Sequence, residues 1–409
     1  MRLSWLFTAS AMLAAAAQAA PLTFEAALKV ADVTAPTLQA RAADVRAARS
    51  SAIAAGRLPD PKLAFGVEGF PISGPNAGHP ERDDFSDVRV GVMQDVPNLA
   101  RRRSARDRAA ADIGAAEVSQ VAAAREVRLS TAMAWIDLYY AERRLAALDD
   151  IELALSSLRD AAPSQLASGA VRPAQTLEPD QLFAQLGDRR ADLIAAVAKA
   201  KAGLVRWTGD PESEVAGPPP TYTVDPVALR AGIDRLPTLT AYDAMAHQAD
   251  ADVSAAKADK HPDWSWELAW QHRDPRFGDM VMVQGTVSLP LFASTRQDPV
   301  IAARAETASR VRIEREASRR ELLAALDGSL ADHAMHHDRL HRALETLVPL
   351  AKHRADLETA SYGAGTASLS DVLQAFLGFA EARIHAIDQQ ADVTRDGARI
   401  VLTFGSDAP

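Results

Sequence analysis

Two stretches of the sequence are each predicted to form one helix that is far longer than the helices of ordinary globular domains. The first, residues 98–165, opens on Asn98, which can cap a helix, and contains no obvious stop signal. The second, residues 299–361, follows Asp298 and a proline, a good N-cap and first turn. Each would contain about 65 residues and be about 100 Å long. Their surfaces are rich in alanine, so a coiled-coil rod or a wall of neighbouring helices suits them better than a compact core.

The two halves of the chain resemble each other at an offset of about 200 residues. "APTLQA" at residues 35–40 recurs as "LPTLTA" at residues 236–241, and "LASG" at residues 166–169 recurs as "YGAG" at residues 362–365. Landmarks in the same order predict an internal two-fold repeat. Each half is therefore expected to run as a short helix, two strands, a long helix, a sharp turn and another short helix.

This plan gives the expected boundaries. The repeats span residues 20–208 and 236–409, and a proline-rich segment, residues 209–235, joins them. The first repeat should contain a helix at about residues 23–57, a β-hairpin at residues 62–97 and a long helix at residues 98–165. A tip turn at residues 166–172 and a last helix at residues 173–208 should follow. The second repeat should contain a β-hairpin at residues 264–290, a long helix at residues 299–361, a tip turn at residues 362–366 and a last helix at residues 367–404. Its long helix should kink at Pro349.

The N-terminal sequence predicts export from the cytoplasm. Arg2 precedes an apolar run, and Ala17 and Ala19 supply the small residues of a cleavage site, so residues 1–19 are expected to be a signal peptide. No later stretch reaches the ~18 consecutive apolar residues that a transmembrane helix needs. The sequence contains no cysteine, which excludes disulfides, and its net charge of −9 argues against a nucleic-acid partner.

The predicted strands alternate between apolar and polar residues. In "WSWELAW", Trp264, Trp266 and Trp270 share one face and Glu267 lies on the other, while Phe65 lies on the apolar face of the first hairpin. Such hairpins could be half-buried on an ordinary core. The alternative is that the apolar face meets lipid, because little other chain is left to cover hairpins that lie between such long helices. Strands of ~9–11 residues with this alternation suit a membrane barrel.

Four strands cannot close a barrel, and open strand edges are not tolerated in lipid. A membrane barrel would therefore be shared between copies of the chain, and three copies would supply twelve strands.

Several motifs resemble the TolC-type outer membrane efflux family. They are the hairpins that end in "QDVP" and "SLPLF" and the turn "YGAGTASLSDVL"; "GRLPDPKLAFGVEGFP" and "VGVMQDVPNLARRR" are most similar to the heavy-metal branch of the CzcC/CusC type. The resemblance implies a mainly α fold with a small β part. A long α-helical barrel in the periplasm would continue into a trimeric, twelve-stranded transmembrane β-barrel in outer membrane lipid. It also implies a homotrimer that works with a periplasmic adaptor protein and an inner-membrane pump.

The resemblance assigns roles to the tip turns and to the residues after them. Gly169, Tyr362, Gly363 and Gly365 would form the periplasmic tips that adaptor proteins grip, with glycine supplying the positive φ of the reversal. Asp371 matches an aspartate that lines the narrowed aperture of the family, where three copies would form an acidic ring. A solvated helix residue is the alternative. A second acidic position of the family is Gln374 here, and the equivalent residue of the first half is Gln175.

A histidine cluster and a basic run are further candidate sites. His333, His337 and His341 recur on one helical face, with His336 adjacent, and such spacing can bind zinc or copper. Solvated or packing histidines are the alternative. The run Arg101 to Arg103 either meets lipid headgroups at the inner leaflet or is simply solvated.

The sequence carries no P-loop, GxSxG, HExxH or cysteine-nucleophile motif, so it predicts neither an enzyme nor a cofactor. The predicted function is a passive exit duct in the outer membrane, exporting heavy-metal cations. Drug efflux and type I protein secretion are alternatives within the same family. A secreted structural coiled-coil or adhesin rod is the alternative from another class.

Overall fold

The computed structural model describes residues 22–167, 178–212 and 214–405. The helices are α1 (Phe24–Thr34), α2 (Pro36–Ala52), α3 (Leu99–Ala167), α4 (Glu178–Thr208), α5 (Pro226–Gly232), α6 (Pro237–Ala258), α7 (Ala293–Arg342), α8 (Val348–Gly363) and α9 (Leu369–Phe404). The strands are β1 (Lys62–Glu68), β2 (Asp87–Val96), β3 (Trp264–His272) and β4 (Met280–Val287). The predicted signal peptide lies outside the described residues, as do Gly169 and Gln175.

α3 is one continuous helix of 69 residues. Asn98 caps it, because the Asn98 Oδ1 accepts a hydrogen bond of 2.8 Å from the amide of Arg101. Apolar side chains of α3 enter two buried clusters, one around Trp135 and Ile136 and the other around Leu148 and Ile151. This lateral packing, rather than helix propensity alone, stabilises so long an element.

The prediction of one helix at residues 23–57 is wrong, because two helices, α1 and α2, occupy this region. The backbone at Ala35 is extended, with φ −60° and ψ 118°, and it separates α1 from α2. Pro36 is the cause, because a proline ring disfavours helical backbone at the preceding residue and suits the first position of the helix that follows.

The predicted start of the second long helix is also wrong. α7 begins at Ala293, so Asp298 and the proline after it lie inside the helix, and Asp298 is not its N-cap. The Asp298 carboxylate pairs with Lys260 instead. The carbonyl of Phe292 accepts hydrogen bonds from the two amides that follow by three and four residues, which starts the helix before the proline is reached.

The irregularity expected at Pro349 takes the form of a π-helical turn, Ala343–Leu347, between α7 and α8. A proline inside a helix has no amide hydrogen for the carbonyl four residues earlier, and its ring crowds that carbonyl. The wider π turn accommodates both effects, so helical backbone continues to Gly363.

The four strands form one antiparallel sheet in the order β1-β2-β3-β4. Each sequence half supplies one hairpin, and β2 pairs with β3 to join them, from Val88 opposite His272 to Val96 opposite Trp264. β1 and β4 are the edges, and each has a strand partner on one side only within the described chain.

The described chain divides into two compact units, and each combines segments from both sequence halves. The first unit holds the described residues up to 36, residues 125–227 and those from 326 onward. Trp135 lies at the centre of its core: the ring is fully buried, and Nε1 donates a hydrogen bond of 2.9 Å to the carbonyl of Leu22. Phe24 meets the same ring edge-on, with centroids 5.5 Å apart.

The second unit, Thr37–Ala124 with Ala228–Ala325, contains the sheet and the helix ends next to it. Arginine–aspartate pairs link its helices through α6. They are Arg108–Asp252, Arg312–Asp250 at 2.7 Å and Arg315–Asp243 at 2.7 Å. Alanine dominates the facing helix surfaces, so these pairs supply specific contacts between helices that have few large side chains to interlock.

Candidate functional site

One face of the sheet is apolar and exposed. Phe65, Val90, Trp270 and Val281 are direct partners in one row across all four strands. Their exposed fractions are 81, 40, 46 and 69%. Trp264 and Trp266 lie on the same face, also exposed, with their rings stacked at 6.2 Å. All four residues predicted to face lipid therefore lie on this face.

The opposite face of the sheet is polar and more enclosed. Arg89 of β2 forms an ion pair of 2.6 Å with Glu267 of β3 and a longer one of 3.4 Å with Glu68 of β1. Near the loop end of the sheet, Gln271 donates a hydrogen bond of 2.9 Å to Asp87. The alternation predicted from "WSWELAW" is thus present as two chemically distinct faces, with charges paired on one of them.

Where the strands give way to helices, a polar cluster joins the two sequence halves. Asp263 accepts hydrogen bonds of 2.8 Å from the backbone amide and the side-chain amide of Asn98. Arg101 pairs with Asp263 and, at 2.6 Å, with Asp259. Arg102 donates from Nε to the carbonyl of Gly56 at 2.9 Å. The Arg101 side chain is therefore already paired with carboxylates of the protein, which the basic run in the sequence did not indicate.

The second tip turn lies between α8 and α9. Gly365 has φ 75°, which only glycine adopts readily, whereas Gly363 is the last residue of α8 and has no positive φ. Of the two glycines predicted to supply a positive φ in this turn, only Gly365 does so. The amide of Thr366 bonds back to the carbonyl of Ser361 at 2.9 Å and closes the turn.

Asp371 is the third helical residue of α9 and has a local partner. Its carboxylate accepts hydrogen bonds from the amide and hydroxyl of Ser368, at 2.8 and 2.7 Å, and the Ser368 Oγ accepts from the Asp371 amide at 3.2 Å. This reciprocal arrangement is a capping box. The Ser368 side-chain and backbone hydrogen bonds lower the pKa of Asp371. Asp371 and Gln374 are both exposed on one face of α9, and Leu373 is buried on the other.

The three histidines predicted as metal ligands do not converge. The rings of His333 and His337 meet edge to face, with centroids 4.7 Å apart. His341 lies two turns beyond His333, about 12 Å along the axis, which is too far to share one ion. Its Nδ1 lies 3.5 Å from Glu345 instead. Within the described residues, no group of three or more His, Cys, Asp or Glu side chains is arranged to hold a metal ion.

The specific contact of this cluster is made by His336, which the spacing did not single out. Its Nδ1 lies 2.6 Å from a carboxylate oxygen of Asp396 in α9, and both side chains are largely buried. His333 lies beside Gly397 of α9, and burial, followed by the neighbouring His337, lowers the pKa of His333. These contacts support the packing interpretation of the histidines.

Sequence reasoning also missed the arginine–aspartate pairs of α6. A signal for them was present, because Asp243 and Asp250 are one heptad apart, as are Asp252 and Asp259. The two pairs of aspartates face different neighbours: the first pair meets arginines of α7, and the second meets arginines of α3.

No protein-family model and no curated relative matches the chain. Solved structures do match. CusC, described in terms of transmembrane channel formation, is 13% identical, with 95% of this chain and 93% of that chain covered and a TM-score of 0.78. The CmeC outer membrane channel of Campylobacter jejuni is 12% identical (94% and 85% covered, TM-score 0.78). The outer membrane protein VceC of Vibrio cholerae is 18% identical (93% and 96% covered, TM-score 0.77). No described helix carries an apolar stretch long enough to cross a bilayer.

Proposed function

We propose that this chain, which has the TolC-type fold of these outer-membrane channels, is the outer-membrane exit duct of an efflux system. The observation that carries the proposal is the exposed apolar face of the sheet. A contiguous exposed patch of this kind marks an interaction surface on a soluble protein or a surface that meets lipid. Because each aromatic or branched side chain gains about 1.5–3 kcal/mol on burial, leaving the whole face in water would be strongly unfavourable.

Lipid is the cover that we propose for this face. Apolar residues face outward in every strand, and paired charges lie on the other side, which is the arrangement of a transmembrane barrel around an aqueous interior. The strands contain between 7 and 10 residues, close to the length that crosses a bilayer at a tilt.

A homotrimer follows from the edges of the sheet. In lipid, the unpaired amides and carbonyls of β1 and β4 would each cost several kcal/mol, so every edge must find a partner strand. Pairing β4 of one copy with β1 of the next closes a ring, and three copies give the twelve strands expected from the resemblance. The barrel and its trimeric state are parts of the proposal.

The experiment compares two arginine substitutions in neighbouring residues of β3. Trp266→Arg places a charge on the proposed lipid face, two residues from the strand end, and should cost between the about 0–1 kcal/mol of an interfacial position and the about 2–4 kcal/mol of the bilayer midplane. Ser265→Arg places the same charge on the polar face, opposite Thr286 and Asp95, and serves as the control. The wild type should require detergent, run as a trimer and conduct in planar bilayers. The Trp266 variant alone should fail to assemble in the outer membrane; equal assembly of both variants would reject the proposed orientation.

We also propose heavy-metal cations as the cargo, with an inner-membrane pump and a periplasmic adaptor as partners. Support comes from the sequence stretches that resemble the heavy-metal branch, around β1 and β2, and from the exposed Asp371 beside the second tip turn. Deleting the gene from its host should raise sensitivity to copper, zinc or cobalt salts while sensitivity to hydrophobic drugs stays unchanged. Sensitivity to drugs alone, or loss of a secreted protein, would favour the alternative cargoes.

A further inference from the structure

A pocket of 440 Å³ lies where β2 and β3 meet the helices of the second unit. Its walls are mainly apolar, with polar groups at one side. The lining includes the apolar residues Val96, Leu99 and Trp264 and the polar residues Arg102 and His261.

This pocket is continuous with the apolar face of the sheet. Val96, the last residue of β2, pairs with Trp264, the first residue of β3, and both belong to the face that carries Trp266 and Trp270. Leu99, the first residue of α3, is 77% exposed beside them. β2 and β3 each have a strand on both sides, so the pocket lies away from the sheet edges at which further copies of the chain would join.

Hydrogen-bond donors remain available in the lining of the pocket. Arg102 uses Nε to bond the carbonyl of Gly56, and within the described chain its terminal guanidinium nitrogens have no further partner. The ring of His261 has no hydrogen bond among the described residues either. Asp263, which lies in the chain between the lining residues Pro262 and Trp264, is engaged by Arg101 and Asn98, and Arg102 has no ion pair among the described residues.

Gly56 positions Arg102 for this role. Its φ is 67°, and a Cβ at this position would overlap the carbonyl oxygen of Arg102, so the segment between α2 and β1 packs directly on the first turn of α3. The hydrogen bond from Nε to the Gly56 carbonyl holds the Arg102 side chain and leaves its two terminal nitrogens without a protein partner among the described residues. Arg103, the next residue, is exposed and has no such contact among the described residues.

We propose that this pocket binds an anionic phospholipid of the membrane. The acyl chains and glycerol would lie on Val96, Leu99 and Trp264, and the phosphate would accept hydrogen bonds from Arg102 and His261. A guanidinium fork suits phosphate oxygens, and a tryptophan at the start of a membrane-facing strand suits the boundary between headgroups and acyl chains. The proposal rests on the proposed function, because it needs Trp264 to face lipid, and it adds a specific site to what would otherwise be a uniform lipid contact.

The test uses the purified channel in a neutral detergent and native mass spectrometry. Phosphatidylglycerol, phosphatidylcholine and free glycerol phosphate are added separately. The wild type should retain phosphatidylglycerol at least about tenfold better than phosphatidylcholine, because the choline cation of phosphatidylcholine offsets the charge of its phosphate and would lie beside the Arg102 guanidinium. Glycerol phosphate should not be retained, because it lacks the acyl chains that fill the apolar wall. Equal retention of both lipids, or equal retention of glycerol phosphate, would overturn the proposal.

Variants locate the site. Arg102→Gln should abolish the preference for phosphatidylglycerol, and Arg103→Gln, which removes the same charge one residue away, should leave it unchanged. Because Arg102 also bonds Gly56, Leu99→Asp provides a second change, which places a negative charge on the apolar wall and leaves that bond intact. If Arg103→Gln abolishes the preference as strongly as Arg102→Gln, or if Leu99→Asp leaves it intact, the pocket is not the site.

Conductance and oligomeric state are measured on the same preparations. A conducting trimer without lipid preference would overturn this inference and leave the proposed function standing. A protein that is soluble and monomeric without detergent would overturn both.

Discussion

Asp371 has two candidate roles, and a pair of substitutions separates them. As a member of the capping box it stabilises the first turn of α9 through Ser368. As the residue that resembles the family's aperture aspartate, it would attract cations to the narrow end of the duct. Asp371→Asn alters both roles, because it removes the charge and weakens the hydrogen bonds from Ser368. Ser368→Ala alters only the cap, because it removes the hydroxyl and leaves the Asp371 carboxylate charged.

The structure sets the expected size of the capping effect. Ser368→Ala removes the Oγ that bonds the Asp371 amide at 3.2 Å and the carboxylate at 2.7 Å, a loss of about 1 kcal/mol for an N-cap. Asp371→Asn loses the charge at the helix N-terminus, worth about 0.3–1 kcal/mol at an exposed position. Since the two residues share these hydrogen bonds, the double variant should cost less than the sum of the single variants.

Hydrogen exchange of the first amides of α9 measures the cap, and reversal potentials in planar bilayers measure ion selectivity. Ser368→Ala should speed exchange about fivefold, and Asp371→Asn about twofold to fivefold. Only Asp371→Asn should reduce cation preference and block by divalent ions. Equal loss of selectivity in both variants would assign the effect to a loosened helix end. Unchanged selectivity in Asp371→Asn would make Asp371 a structural cap only.

The capping contribution should also depend on pH. Because the hydrogen bonds of Ser368 lower the pKa of Asp371 in the folded state, the unfolded state takes up a proton first as the solution is acidified. The stabilisation is therefore complete above the unfolded pKa of about 4 and is lost as the pH falls below it. Protection of the first α9 amides should follow this course in the wild type and be independent of pH in Asp371→Asn.

Most of the fold could be predicted from local periodicity. The uninterrupted apolar pattern before and after Trp135 is sufficient for one long helix, and the alternation around Trp266 is sufficient for a strand with two unlike faces. The errors occurred at prolines. At Pro36 the restriction on Ala35 was a readable signal that divides α1 from α2. Asp298 and the proline after it have the sequence pattern of a helix start, but α7 begins five residues earlier, at Ala293.

The side-chain contacts at the candidate sites could not be predicted from the spacing of residues in the sequence. His333, His337 and His341 share a helical face, yet one face spread over two turns does not bring three side chains to one point. Only packing against α9 shows that His336 has the buried acidic partner, Asp396. Arg102 is the reverse case: it was part of an undivided basic run in the sequence, and its contact with Gly56 distinguishes it from its neighbours.

Three further predictions concern stability in detergent, measured by thermal unfolding. Gly56→Ala should destabilise more than Gly74→Ala: both glycines have positive φ, which costs alanine about 1–2 kcal/mol, but only at Gly56 does a Cβ meet the backbone of Arg102. Trp135→Ala should cost about 3–5 kcal/mol, since the ring is fully buried and bonded to Leu22, whereas Val33→Ala, at a 75% exposed position, should cost less than about 0.5 kcal/mol. His333 should make the protein sensitive to mild acid. Burial and then the neighbouring His337 lower the pKa of His333, while Asp396 acts in the opposite direction. The unfolded state therefore binds a proton first, so stability should fall as the pH drops from about 7 through the unfolded value of about 6.5 to the lower folded pKa. His333→Gln should flatten this part of the curve, and His341→Gln, at an exposed position further along the same helical face, should not. An unchanged curve in His333→Gln would assign the acid response to another group.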